Sequence, residues 1–120
     1  MKISTAESVV MEALWARSPQ AAEEIAAEVA APQGWTEATV KTLINRLLNK
    51  GAVEAERDGR RYLYRPAVAR AAWVGAESQG LLDRLFDGRL APLVSHFSQT
   101  GALTPQDIAE LKKLIEGFEP

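Results

Sequence analysis

The chain has no cysteine, a single histidine (His96) and no apolar run near the roughly 18 residues that a bilayer-spanning helix needs. The first absence excludes disulfides, thiolate metal sites and thiol redox chemistry. The lone histidine has no Ser and Asp around it at triad spacing, and no convergent group of His, Asp and Glu suggests a metal centre. No glycine-rich phosphate cradle follows a strand pattern, and Asp58-Gly59 reads as a turn rather than a calcium loop. The opening MKISTAESVV lacks the apolar core of a secretory signal. The expectation is a cytoplasmic protein with no membrane insertion, no catalytic constellation and no cofactor.

What is present is ordinary in bulk and uneven in detail. At 120 residues, 47% hydrophobic and 25% charged, the chain suits one domain or two small ones and is too apolar for disorder. The net charge of −2 conceals a division along the chain. Residues 1–35 hold two basic and five acidic side chains, residues 36–66 seven and four, and residues 67–120 five and seven. Positive charge is thus concentrated in the middle third, where it could meet phosphates.

That third is the most informative stretch, WTEATVKTLINRLLNKGAVEAERDGRRYLYR. Thr36 suits a helix N-cap, and Trp35 before it can staple onto Val40. Val40, Leu43, Ile44, Leu47 and Leu48 recur at the spacing of one buried stripe, and Gly51 supplies a left-handed stop. Ala52–Arg57 and Arg60–Arg65 then read as two strands joined at Asp58-Gly59, a favoured two-residue hairpin turn.

Two helices are predicted ahead of this stretch. The first opens at Ser4, with Glu7 completing a capping box, and buries Ala6, Val9, Val10, Ala13 and Leu14. Arg17 near its end suits the helix dipole, and Ser18-Pro19 breaks it. The second covers about Ala21–Ala30, with Ala22, Ile25, Ala26 and Val29 inward and Pro32-Gln33-Gly34 as a turn. Three helices followed by a hairpin is a winged helix-turn-helix order.

After Pro66 the pattern is purely helical. A helix over about Val68–Phe86 carries Trp73, Leu81, Leu82, Leu85 and Phe86. A second, from Leu90 to about Gln99, carries Leu93, Val94 and Phe97. A third opens with Thr104 as cap and Pro105 at its first position, and lines Ile108, Leu111, Leu114, Ile115 and Phe118 on one face. Some fifty residues in three helices can hardly bury so much apolar surface alone, so a partner surface is expected, most simply an identical chain. The alternative is that these helices fold back on the N-terminal core. The fold class is therefore mainly α with a small β-hairpin wing, residues 1–66 forming a winged-helix DNA-binding domain and residues 67–120 a helical dimerisation domain.

Side chains off the buried stripe of the third helix are the candidate readers of double-stranded DNA. Thr36, Thr39, Lys41, Thr42, Asn45, Arg46 and Lys50 supply the donors, acceptors and methyl groups that bases and phosphates need. Asn49 lies on the same side. Thr39, Thr42 and Arg46 are favoured as base contacts. Arg57, Arg60 and Arg61 flank the wing turn and would meet phosphates or a minor groove. Tyr62 and Tyr64 alternate to one face and are expected to pack rather than to stack on bases. Glu23 and Glu24 read as solvated. A winged-helix module that binds proteins and not DNA is the rival reading, and salt dependence separates the two. A ligand pocket around Trp73 has no polar cluster to support it.

The chain resembles the BlaI/MecI/CopY family of penicillinase-repressor type winged-helix regulators. ISTAESVVMEALW, the WTEATVK…YLYRP stretch, LLDRLFDGRLAPLVSHF and LTPQDIAELKKLIE carry the resemblance, in order and over nearly all 120 residues. It implies a homodimer that binds a palindromic operator and blocks transcription. In the antibiotic-responsive branch, induction comes from proteolysis in the dimerisation domain, just before a Phe, which implies a sensor protease as partner. The corresponding bond here is His96-Phe97, where that branch has Asn before the Phe. The copper-responsive branch uses a cysteine-rich site, a route excluded in a chain without cysteine.

Overall fold

The computed structural model describes residues 1–118, which form two compact units, Met1–Trp73 and a second beginning at Val74. The elements of the first are α1 (Thr5–Ala16), β1 (Gln20–Ala21), α2 (Ala22–Gln33), α3 (Glu37–Lys50), β2 (Val53–Asp58) and β3 (Arg61–Pro66). α4 (Arg70–Phe86) starts in the first unit and ends in the second, where α5 (Leu90–Thr100) and α6 (Pro105–Glu116) follow. The mainly helical winged-helix class read from the sequence is borne out.

One core holds the first unit together. Val10, Met11 and Leu14 of α1, Ile25 and Val29 of α2, and Val40, Leu43, Ile44 and Leu47 of α3 form one buried cluster. Met11 joins it although the sequence reading left it out. The Ser4–Glu7 capping box is present, with the Ser4 amide on Glu7 Oε1 at 2.8 Å and the Glu7 amide on Ser4 Oγ at 3.1 Å. Arg17 is the C-cap of α1 rather than a residue of its last turn.

Three local features differ from the sequence reading. α2 continues through Pro32 to Gln33, with Gly34 as its left-handed C-cap. The sheet has three strands in the order β1-β3-β2, because Gln20 and Ala21 pair with Tyr64 and Leu63. A two-residue strand carries no alternation to recognise. Its anchor is the fully buried Gln20, whose Nε2 donates to Ala13 O and Arg17 O while its Oε1 accepts from Arg17. Finally, Asp58 pairs with Arg61, so the hairpin loop is Gly59-Arg60 rather than Asp58-Gly59. Gly59 takes φ 65°, which a first loop residue of a II′ hairpin requires and which glycine adopts without a steric penalty.

The units divide inside α4 and not at Pro66. Trp15 Nε1 donates to Val68 O at 2.9 Å, Arg70 reaches Glu12 at 2.8 Å, and the Trp15 and Trp73 rings lie 5.4 Å apart. These contacts bind the first turn of α4 and the residues just before it to α1.

Candidate nucleic-acid interface

α3 is placed by its ends and its stripe. Thr36 Oγ1 accepts the Thr39 amide at 3.2 Å, and Gly51 at φ 78° ends the helix. Val40, Leu43, Ile44 and Leu47 are each no more than 4% exposed, and Trp35 packs against the same cluster. Burying that stripe turns Thr36, Thr39, Lys41, Thr42, Asn45 and Arg46 outward, and all six are exposed. The Thr42 hydroxyl donates to Ala38 O at 3.0 Å. Its oxygen can still accept a hydrogen bond. The Thr36 and Thr39 hydroxyls share a hydrogen bond of 3.1 Å.

The wing stands beside α3 because β3 is held on both sides, by β2 and by β1. Between α2, α3 and the wing lies a groove of about 320 Å³. Ala22 and Glu23 line it from α2, Lys41, Ile44 and Asn45 from α3, and Arg60, Arg61, Tyr62 and Tyr64 from the wing. Helix and hairpin thus bring their cations to one concavity, although they lie some twenty residues apart in sequence.

Most of these cations have carboxylate partners. Lys41 lies 3.6 Å from Glu37 and 3.9 Å from Glu23, and Arg61 lies 3.5 Å from Asp58 and 3.9 Å from Glu24. Arg65 bridges Glu54 and Glu56, whose carboxylates hold its guanidinium pKa above the ordinary value. Arg57 donates to Gly59 O and sits 5.9 Å over the Tyr62 ring. Arg46 and Arg60 have neither an ion pair nor a hydrogen bond from their side chains among the described residues.

Two side chains occupy different places from those the sequence suggested. Lys50 donates to Glu7 Oε1 at 2.5 Å and to Lys2 O at 2.9 Å, so its ammonium is tied to α1 and not presented with Lys41 and Arg46. Burial would raise the Glu7 carboxyl, but Lys50 and the amide and hydroxyl of Ser4 more than offset it and leave the pKa lowered. Trp73, expected in a dimer surface, packs on Trp15 within the first unit. The charge of Lys50 and the helical spacing of Trp73 gave no sign of these partners.

Tyr62 departs from the packing expected of both tyrosines. Strand alternation correctly placed it with Tyr64, and both line the groove. Tyr64 packs against the core, whereas Tyr62, nearer the hairpin tip, is 48% exposed. Distance from the tip was the available signal, since a wing extends beyond the core that supports its base.

In the second unit, no residue of α4, α5 or α6 is buried. Leu82, Phe86, Leu93, Val94 and Leu111 are half-buried, while Leu81, Leu85, Leu90, Phe97, Ile108, Leu114 and Ile115 are exposed. Leu114, Ile115 and Phe118 are each at least 70% exposed. Leu93, Val94, Phe97, Leu103, Leu111 and Leu114 line an apolar groove between α5 and α6. The His96-Phe97 bond lies inside α5, with the two rings edge-on at 5.4 Å. Among the described residues no cluster of His, Asp and Glu could hold a metal, and no helix is long and apolar enough to cross a membrane.

Known proteins match the chain in sequence and, over part of its length, in fold. Residues 3–117 match the family model described as penicillinase repressor. The penicillinase repressor of Bacillus licheniformis is 30% identical over 115 residues, covering 96% of this chain and 90% of that protein. The methicillin resistance regulatory protein MecI of Mammaliicoccus sciuri is 27% identical over 114 residues, 95% of this chain and 93% of that one. The solution structure of monomeric Bacillus licheniformis BlaI in complex with the blaP half-operator is 31% identical with a TM-score of 0.53. It covers 59% of this chain and 87% of that one.

Proposed function

Because the chain belongs to the penicillinase repressor family, a family of DNA-binding transcriptional repressors rather than enzymes, we propose that it acts as a cytoplasmic homodimer on a palindromic operator. α3 enters the major groove and the wing lies along the backbone. Thr39, Thr42 and Arg46 read base edges. Thr36, Lys41 and Asn45 position the helix, while Arg57, Arg60 and Arg61 meet phosphates. The observation that carries this reading is the convergence of Lys41 and Asn45 of α3 with Arg60 and Arg61 of the wing on one groove, with Thr39, Thr42 and Arg46 exposed on α3 outside it.

Dimerisation is assigned to α4–α6, whose apolar side chains are left without a buried core in the single chain. A second copy covers them, and it also links two half-site contacts so that the second binds at high effective concentration. Opening the dimer therefore releases DNA without altering α3. Cleavage at His96-Phe97 by a sensor protease is one such route. It requires α5 to unwind locally, since a protease takes an extended segment.

Footprinting of the region upstream of the gene, at low and high salt, tests the reading. A protected inverted repeat whose protection fades with salt supports it. Absence of protection on any upstream repeat contradicts it.

A further inference from the structure

Glu23 stands out in the groove between α2, α3 and the wing. It is the acidic side chain in a concavity whose other polar lining is Lys41, Asn45, Arg60, Arg61 and two tyrosines, with Ala22 and Ile44 as its apolar part. Its carboxylate is 3.9 Å from the Lys41 ammonium and well exposed, so it makes neither a tight ion pair nor a core contact. The other acids near these cations do not line the groove: Glu37 lies 3.6 Å from Lys41, Asp58 lies 3.5 Å from Arg61, and Glu24 accepts the Ala21 amide at 3.0 Å. Glu23 has no such bond from its side chain among the described residues.

We propose that this groove is the seat of one backbone phosphate, held by Lys41, Arg60 and Arg61, and that Glu23 limits how tightly the seat is filled. The inference rests on the DNA-binding reading and deepens it. A phosphate entering the groove meets a carboxylate already beside one of its cations. It must displace that carboxylate from Lys41 or endure its repulsion. Either way the effect is sequence-independent, because phosphates carry no base information. Glu23 is therefore an affinity-limiting residue, not a base reader. It keeps nonspecific binding low in a protein whose middle third is basic.

The test is a fluorescence-anisotropy titration of the full chain on a duplex carrying the inverted repeat upstream of its gene and on a scrambled duplex of equal length, comparing wild type, Glu23→Gln and Glu28→Gln. Glu28 is exposed on the same helix, outside the groove, and controls for net charge. Glu23→Gln should tighten both complexes by about two- to fivefold, the range of an exposed charge contact, and the gain should shrink as salt rises. Glu28→Gln should change either by less. No gain for Glu23→Gln, an equal gain for Glu28→Gln, or a gain confined to the operator would overturn the proposal. If the wild-type chain binds neither duplex, the DNA-binding reading itself fails, an outcome distinct from all three.

Discussion

Lys50 Nζ, at the end of α3, sits 2.5 Å from Oε1 of Glu7, a carboxylate that is 1% exposed. The pair joins α1 to α3. Glu7 Oε2 is buried without a partner, so the ammonium and the Ser4 amide carry the compensation for that charge. Lys50→Met should destabilise the fold by about 1–3 kcal/mol, less than for a fully buried pair because Lys50 is partly exposed. Urea unfolding measures this. The base preference of DNA binding should stay unchanged.

The same pair gives a pH dependence with a definite sign. The folded pKa of Glu7 is lowered, so its stabilisation is present above the unfolded carboxylate value and is lost as pH falls through the folded one. In Lys50→Met the lowering by Lys50 is gone while burial still opposes the two Ser4 bonds. That variant should therefore lose less stability than wild type as pH falls through the carboxylate range. Unfolding midpoints between about pH 3 and 7 distinguish the two slopes.

Arg46 and Arg60 both have guanidinium groups without a partner among the described residues, yet they should fail in different ways. Arg46→Ala should weaken operator binding by about 1–3 kcal/mol and relax preference at one base position. Arg60→Ala should lower affinity alike on all sequences and reduce the salt slope by about one. Equal losses across operator variants for Arg46→Ala would remove it from the base readers.

Trp73 packs on Trp15, so Trp73→Ala should destabilise the first unit by about 1–3 kcal/mol, a half-buried version of a large core truncation. Raising protein concentration should not restore the loss, whereas mass action would restore one caused only by a weakened dimer. Thermal unfolding at two concentrations a hundredfold apart separates these cases.

Much of this was legible in the sequence because the signals were local and redundant. α3 had a cap, a stripe and a glycine stop that agreed, and α6 had Thr104, Pro105 and an acidic first turn. β1 was not legible, since two residues cannot show a period and their partner strand lies some forty residues on. The site was legible as a set of cations but not as a geometry. Charge alone did not distinguish Arg46, which has no partner among the described residues, from Lys50, which is tied to Glu7. Nor could it show that Glu23 and Tyr62 share the groove with Lys41.

Leu114 is 71% exposed in the single chain, so Leu114→Glu disturbs no monomer core. It should shift the protein toward monomer in sedimentation velocity, lower operator affinity and leave unfolding of the first unit unchanged. A dimer that persists would place the interface elsewhere on the chain.

The most direct test is the affinity of the full-length protein for an upstream inverted repeat and for one half of it, measured across a salt series. A dimer placing two interfaces like this one on DNA predicts a steep fall with salt, and a log-log slope for the repeat about twice that for the half-site. Affinity that is indifferent to salt, or equal slopes on repeat and half-site, would contradict a dimeric reader of DNA.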